Sequence, residues 1–144
     1  MQETRQQKKN QIPCYCMKIR RASAVITKFY DAILGECGIT ARQYSLLFKV
    51  KAAEGCSVRE LADAAELERS TLARNLKPLY QRGLIVDVKQ PGTRKSRLKL
   101  TPAGEERLEF ANLLWEKAQN DVLQKLGEDG ISGLDKLLGL LETL

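Results

Sequence analysis

The sequence predicts a mainly α-helical fold that carries one two-stranded β-hairpin. Apolar residues recur at spacings of three and four over most of the chain beyond residue 12. The period drops to two only between Leu84 and Leu100. Serine or threonine, proline and glycine stand where helices should begin and end. A length of 144 residues suits one ordinary domain.

The elements follow in order. Residues 1–11, MQETRQQKKNQ, are polar and charged and are expected to form a flexible arm. They lack the apolar stretch and small-residue cleavage site of a secretory signal. Pro13 suits the first turn of a helix, and Ile19, Ala22, Ile26, Phe29, Tyr30 and Ile33 continue it to Gly35–Gly38. Thr40 and Gln43 have capping-box spacing and start a second helix, which runs to about Ala53 with Tyr44, Leu47, Phe48 and Lys51 along a face. Ser57 and Glu60 repeat the box before a short helix striped by Val58, Leu61, Ala62 and Ala65. After a break at Glu66-Leu67-Glu68, a helix from about Arg69 to Gln81 turns Leu72, Leu76 and Leu79 inward and stops at Gly83. Pro78 deletes one of its backbone bonds and is expected to bend it.

Leu84, Val86 and Val88 then alternate as one strand, and Leu98 and Leu100 alternate with Arg97 and Lys99 as the returning one. Gln90-Pro91-Gly92-Thr93 between them is a turn signal. Thr101-Pro102 opens a last long helix, as N-cap and first-turn proline, along which Leu108, Ala111, Trp115, Ala118 and Val122 form a seam. A break from Gly127 to Gly133 is expected before a final helix with Leu134, Leu137, Leu138, Leu140, Leu141 and Leu144. These leucines cover more than one stripe, so that helix needs a second surface, as a subunit interface provides.

The charge pattern separates the middle of the chain from its end. The net charge is +6, but Arg69 to Lys99 holds nine basic residues against Asp87 alone, a local +8, whereas residues 102–144 sum to −5. The middle segment is therefore suited to meet an anion. Helix, short break, helix and basic hairpin is the order of a winged helix-turn-helix, and an α-helix fits the major groove of duplex DNA. The helix from Arg69 offers Ser70, Thr71, Arg74 and Asn75 opposite its leucines, with Arg69 and Lys77 adding charge. Arginine and asparagine are the side chains that pair in bidentate fashion with guanine and adenine edges. Arg94 and Lys95 at the hairpin tip, with Arg97 behind them, are placed for phosphates or a narrow minor groove.

The phrases "ITARQYSLL", "SVRELADAAELERSTLARNLKPLYQRGLI" and "RLKLTPAGEE", in this order and spacing, resemble the multiple-antibiotic-resistance regulator (MarR) family. The resemblance implies a regulator, usually a repressor, released from a duplex operator by a small phenolic ligand or an oxidant. It implies a homodimer joined through helices of residues 12–38 and 102–144, with residues 39–101 forming the DNA-binding winged helix-turn-helix. Ser70, Thr71 and Arg74 match recognition-helix positions, and Arg94 matches the wing arginine. Where the family usually has an aspartate two residues before that arginine, this chain has Gly92.

Cys16 lies 28 residues before Tyr44, a spacing that resembles the organic hydroperoxide resistance regulators, in which tyrosines hold a reactive cysteine. Tyr30 falls on one of those tyrosine positions, and Arg20 replaces the other. Cys16 and Tyr30 are therefore a candidate peroxide sensor, the thiolate being the reactive form. The alternative is that Cys14 and Cys16 are small apolar interface residues.

Several classes are set aside. The chain has no histidine, which removes histidine-based catalysis and histidine zinc sites, and its four cysteines form no C-x-x-C pair. No phosphate-binding glycine motif or nucleophile–base set occurs, so neither an enzyme nor a cofactor is expected. No apolar run approaches the ~18 residues of a membrane span, and a cytoplasmic location is expected. The rival is an architectural DNA-binding protein without an effector.

Overall fold

The computed structural model describes residues 13–144; the flexible arm expected over residues 1–11 lies outside them. Six helical segments and two short strands follow in order. They are α1 (Tyr15–Leu34), a 3-10 turn (Gly35–Cys37), α2 (Ala41–Ala52), α3 (Val58–Ala65), α4 (Arg69–Gln81), β1 (Ile85–Asp87), β2 (Leu98–Leu100) and α5 (Pro102–Leu141). The strands pair antiparallel, with Ile85 opposite Leu100 and Asp87 opposite Leu98. Among the described residues, no helix is long and apolar enough to cross a membrane.

The local signals act as the physics of helix ends requires. Thr40 Oγ1 accepts from the Gln43 N–H at 3.1 Å while Gln43 Oε1 accepts from the Thr40 N–H at 3.0 Å. Ser57 and Glu60 exchange the same pair of bonds at 3.1 and 2.7 Å. Each box satisfies donors that have no acceptor within the helix. α4 ends in a Schellman motif: Gly83 takes φ +66°, its N–H bonds Tyr80 C=O, and the Leu84 N–H bonds Leu79 C=O.

That motif corrects the expected strand phase. Leu84 is buried as the apolar contact that closes the helix end, and Ile85, beside it, begins the strand facing inward. Val86 and Val88, expected to share a face with Leu84, are 39 % and 40 % exposed. Two further expectations shift. Pro13 precedes α1, whose N-cap is Cys14. Of the expected Gly127–Gly133 break, only Gly127 leaves the helical region (φ 69°, ψ 173°), kinking α5. α4 runs through Pro78 to Gln81.

The core lies where α2, α3, α4 and the first half of α5 meet. Leu34, Leu46, Leu47, Leu61, Leu72, Leu76, Leu79, Leu84 and Leu98 are its largest fully buried leucines. Leu108, Ala111 and Leu114 of α5 join the same cluster, so the chain packs continuously across the expected 101/102 boundary. Gly104 makes this possible: a Cβ there would stand 2.0 Å from Leu84 O. The ends differ. Residues 15–29 of α1 include no buried side chain, and residues 132–144 are all exposed. α1 is tied down only near its C-terminus, where Tyr30 Oη donates to Gln119 Oε1 and Asp31 Oδ1 accepts from the Ala41 N–H.

Candidate nucleic-acid interface

The candidate surface is built from α3, α4 and the hairpin. α4 docks by a leucine stripe, with Leu72, Leu76 and Leu79 at most 1 % exposed. One face inward forces the opposite face out, and Arg69, Ser70, Arg74 and Lys77 are exposed on it. Thr71 is half-buried, with its Oγ1 3.5 Å from Arg74 Nη2. Asn75 departs from expectation. It stands between Leu72 and Leu76 on the flank of the stripe; it is half-buried, and its Nδ2 is enclosed without a hydrogen-bond partner. Its amide is thus turned into the domain rather than presented with Arg74.

The hairpin has its own local logic. Gln90-Pro91-Gly92-Thr93 closes as a turn, with the Thr93 N–H and hydroxyl both donating to Gln90 C=O. Proline at the second position and glycine at the third, with φ +82° at Gly92, are the type II pattern. Any side chain at that third position, the family's aspartate included, would be strained. Asp87, the only acid in the basic window, works at the other end: its Oδ1 accepts from the backbone N–H groups of Lys89 and Arg97.

A cleft of about 580 Å³ opens between the wing and the helix pair, lined by Arg59, Arg69, Arg94 and Lys95 together with Glu60 and Asp63. It brings Arg69 of α4 and Arg94 of the wing onto one concave surface. Lys95 does not stand free: its Nζ is 3.2 Å from Glu60 Oε1. The Glu60 carboxyl is held below the ordinary carboxylate range, first by the Ser57 backbone N–H and then by Lys95. Arg97, expected behind the tip cations, is turned toward the wing's base. Its guanidinium lies against Gly55, 3.6 Å from where a Cβ would stand.

Arg59 escaped the sequence reading because the basic window opens at Arg69. Gly55 and Cys56, just before α3, exchange backbone hydrogen bonds with Leu98 of β2, which sets the first turn of α3 beside the wing, so Arg59 and Arg94 line one cleft despite their separation in the chain. Cys16 and Tyr30, paired in the sequence reading, are both on α1, fourteen residues apart, or about 21 Å along a helix axis. They do not meet within one chain. Cys14 and Cys16 are exposed, and Cys37 and Cys56 are buried. Among the described residues, no cluster of metal-ligating side chains occurs.

Comparison with known proteins gives concordant results. The model of the MarR family matches residues 39–96. An uncharacterized HTH-type transcriptional regulator of Bacillus subtilis, YhbI, is 30 % identical over 118 residues, 81 % of this chain and 77 % of that protein. The transcriptional regulator MOSR of M. tuberculosis, solved in complex with DNA, superposes with a TM-score of 0.75 at 29 % identity, covering 91 % of this chain and 98 % of that one. The repressor CouR, solved with p-coumaroyl-CoA, shares the fold at a TM-score of 0.78 and 24 % identity, covering 87 % of this chain and 88 % of that one.

Proposed function

This chain belongs to the MarR family and is a DNA-binding transcriptional regulator; from that premise we propose that it is a cytoplasmic, homodimeric repressor that grips a duplex operator through α4 and the wing. The observation that carries this reading is the shared cleft of Arg69 and Arg94, beside the exposed face of Ser70, Arg74 and Lys77. Thr71 joins that face at its edge. α4 enters the major groove with Arg74 at base edges, while Arg69, Lys77, Arg94 and Lys95 neutralise phosphates. Arg59 adds a cation from α3. Arg97 supports the wing from its base and Asn75 the seat of α4, rather than touching bases.

Residues 12–38 and 102–144 supply the dimer contacts in this reading, with the first half of α5 serving the core as well. The apolar surplus supports it. Tyr15, Met17, Ile19, Val25, Ile26 and Phe29 on α1 are exposed, as are Leu134, Leu137, Leu138, Leu140, Leu141 and Leu144 at the other end. Exposed apolar side chains in such number mark a surface that another chain covers. Two copies also match the pseudo-palindromic symmetry of operators.

Release by a small phenolic ligand or a peroxide completes the proposal. An apolar cleft of about 480 Å³ between α1 and α5, walled by Val25, Ile26, Phe29, Val122 and Leu126, has the character of a ligand site. CouR, which shares the fold, was solved with p-coumaroyl-CoA. Peroxide sensing through Cys16 would have to recruit a tyrosine of the second copy, since Tyr30 of the same chain is out of reach.

Selection of bound duplexes from a random pool, repeated with phenolic acids and with cumene hydroperoxide, tests the whole reading. The expected product is a pseudo-palindrome with half-sites about one helical turn apart, released by one of the two additives. Uniform coating without sequence preference would mean an architectural role. A peroxide response retained by Cys16→Ser would dismiss the thiol as sensor.

A further inference from the structure

The wing tip has little holding it from within. β1 and β2 pair over three residues each. Just beyond, the Val88 N–H donates to Arg97 C=O at 2.8 Å, and Asp87 takes two backbone donors. At the far end Thr93 closes its turn on Gln90. Arg94, Lys95 and Ser96 lie between these two anchors, and two of the three are fastened to another element. The Val58 N–H donates to Ser96 Oγ at 2.8 Å, and Lys95 pairs with Glu60.

The bond to Ser96 answers a specific need of α3. The first N–H groups of a helix have no acceptor within it. Ser57 and Glu60 satisfy each other's N–H groups. The Val58 N–H, at the first helical position, is left over, and a hydroxyl 38 residues further along the chain takes it. Ser96 is half-buried, so water replaces that acceptor less freely than it would at an open surface. Arg94, which shares the cleft with Arg69, stands two residues before Ser96.

We propose that Ser96 is the positioning residue of the wing: by accepting from Val58 it pins the returning arm to the first turn of α3 and so sets Arg94 at a fixed reach from α4. The wing's pose is then carried by α3, and the two move as one piece. This rests on the reading that wing and α4 grip one duplex.

A double-mutant cycle on the full chain, read by anisotropy of the selected duplex, tests it. Ser96→Ala is expected to lose about fivefold in affinity, the worth of one hydrogen bond. In an Arg94→Ala background the same change costs less than about twofold, because there is no arginine left to position. Ser96→Thr keeps the hydroxyl and restores most of the binding. An equal loss in both backgrounds, or no loss in the parent, overturns the proposal. Amide exchange at Val58, followed by NMR without DNA, supplies a second arm. It accelerates about tenfold in Ser96→Ala and recovers in Ser96→Thr. Unchanged exchange also overturns the proposal, whatever the binding. Should Arg94→Ala alone leave binding untouched while exchange responds as stated, the duplex reading of the wing fails, and the positioning role falls with it.

Discussion

The winged half of this molecule and its terminal helices solve the burial problem in opposite ways. From Ile39 to Leu100 the chain hides its large apolar side chains in its own core, apart from Phe48, Tyr80, Val86 and Val88 among those that remain well exposed. What it shows to solvent is mainly polar and basic. Residues 15–29 of α1 and the end of α5 do the reverse, leaving Met17, Val25, Leu137 and Leu140 each about 60 % exposed. A segment that satisfies itself can be understood from one chain. A segment with apolar surplus is understood only with whatever covers it, and the hydrophobic effect makes that cover the larger energy.

The widest test of this contrast is at the end of α5. Leu137→Glu puts a charge on a side chain that one chain leaves exposed, so the single chain should keep its helicity while a dimer weakens by about 100-fold or more. Circular dichroism reads the helicity and sedimentation the dimer, and operator affinity should fall with the dimer. A parent that sediments as a monomer at micromolar concentration would break the comparison. In the winged half the corresponding change acts within one chain. Gly104→Ala forces a methyl toward Leu84 O, and about 3 kcal/mol of stability should be lost, the upper end for overpacking. Thermal unfolding checks this, and the loss should be the same at low and high protein concentration.

Two smaller tests sharpen the division inside the winged half. Arg74→Ala should cost roughly 1–3 kcal/mol on the selected duplex, relax its sequence preference, and leave random DNA little changed. Lys95→Ala should weaken every duplex alike and shallow the salt dependence by no more than about 1, because Glu60 already engages that cation. Matched effects of both variants on selected and random DNA would remove the assigned roles. The smallest effect concerns pH. The Glu60 carboxyl is held below its ordinary value of 4.5 by the Ser57 N–H and Lys95. Its folded form is thus favoured above that pH, and the contribution fades as pH falls through the lowered value. The melting temperature of Glu60→Gln, lower than the parent's near neutrality, should therefore approach it in acid. A gap that stays constant down to pH 3 would dismiss Glu60 as the titrating group.

Much of this architecture is written in short-range chemistry. Both capping boxes, the Gly83 stop, the type II turn and the Thr101-Pro102 start involve residues within a few positions of one another, and their geometry depends on little else. The leucine spacing of α4 likewise decides which side faces out, so the exposure of Arg69, Ser70, Arg74 and Lys77 follows from the sequence. Asn75 marks the limit of that logic. Its residue type suits base recognition, but its angular place beside the stripe turns it inward.

What the sequence determined by itself was the helical order, the hairpin, the basic window and the apolar surplus at the ends, because each is a matter of period, composition or adjacent side chains. Tertiary structure alone decided that Ser96 reaches Val58, that Arg59 shares a cleft with Arg94, that Lys95 is paired, and that Cys16 and Tyr30 of one chain are apart. Those facts depend on how the segment before α3 pairs with the hairpin at Leu98 and on how far a helix extends. Contacts between residues tens of positions apart leave no periodic trace in the chain.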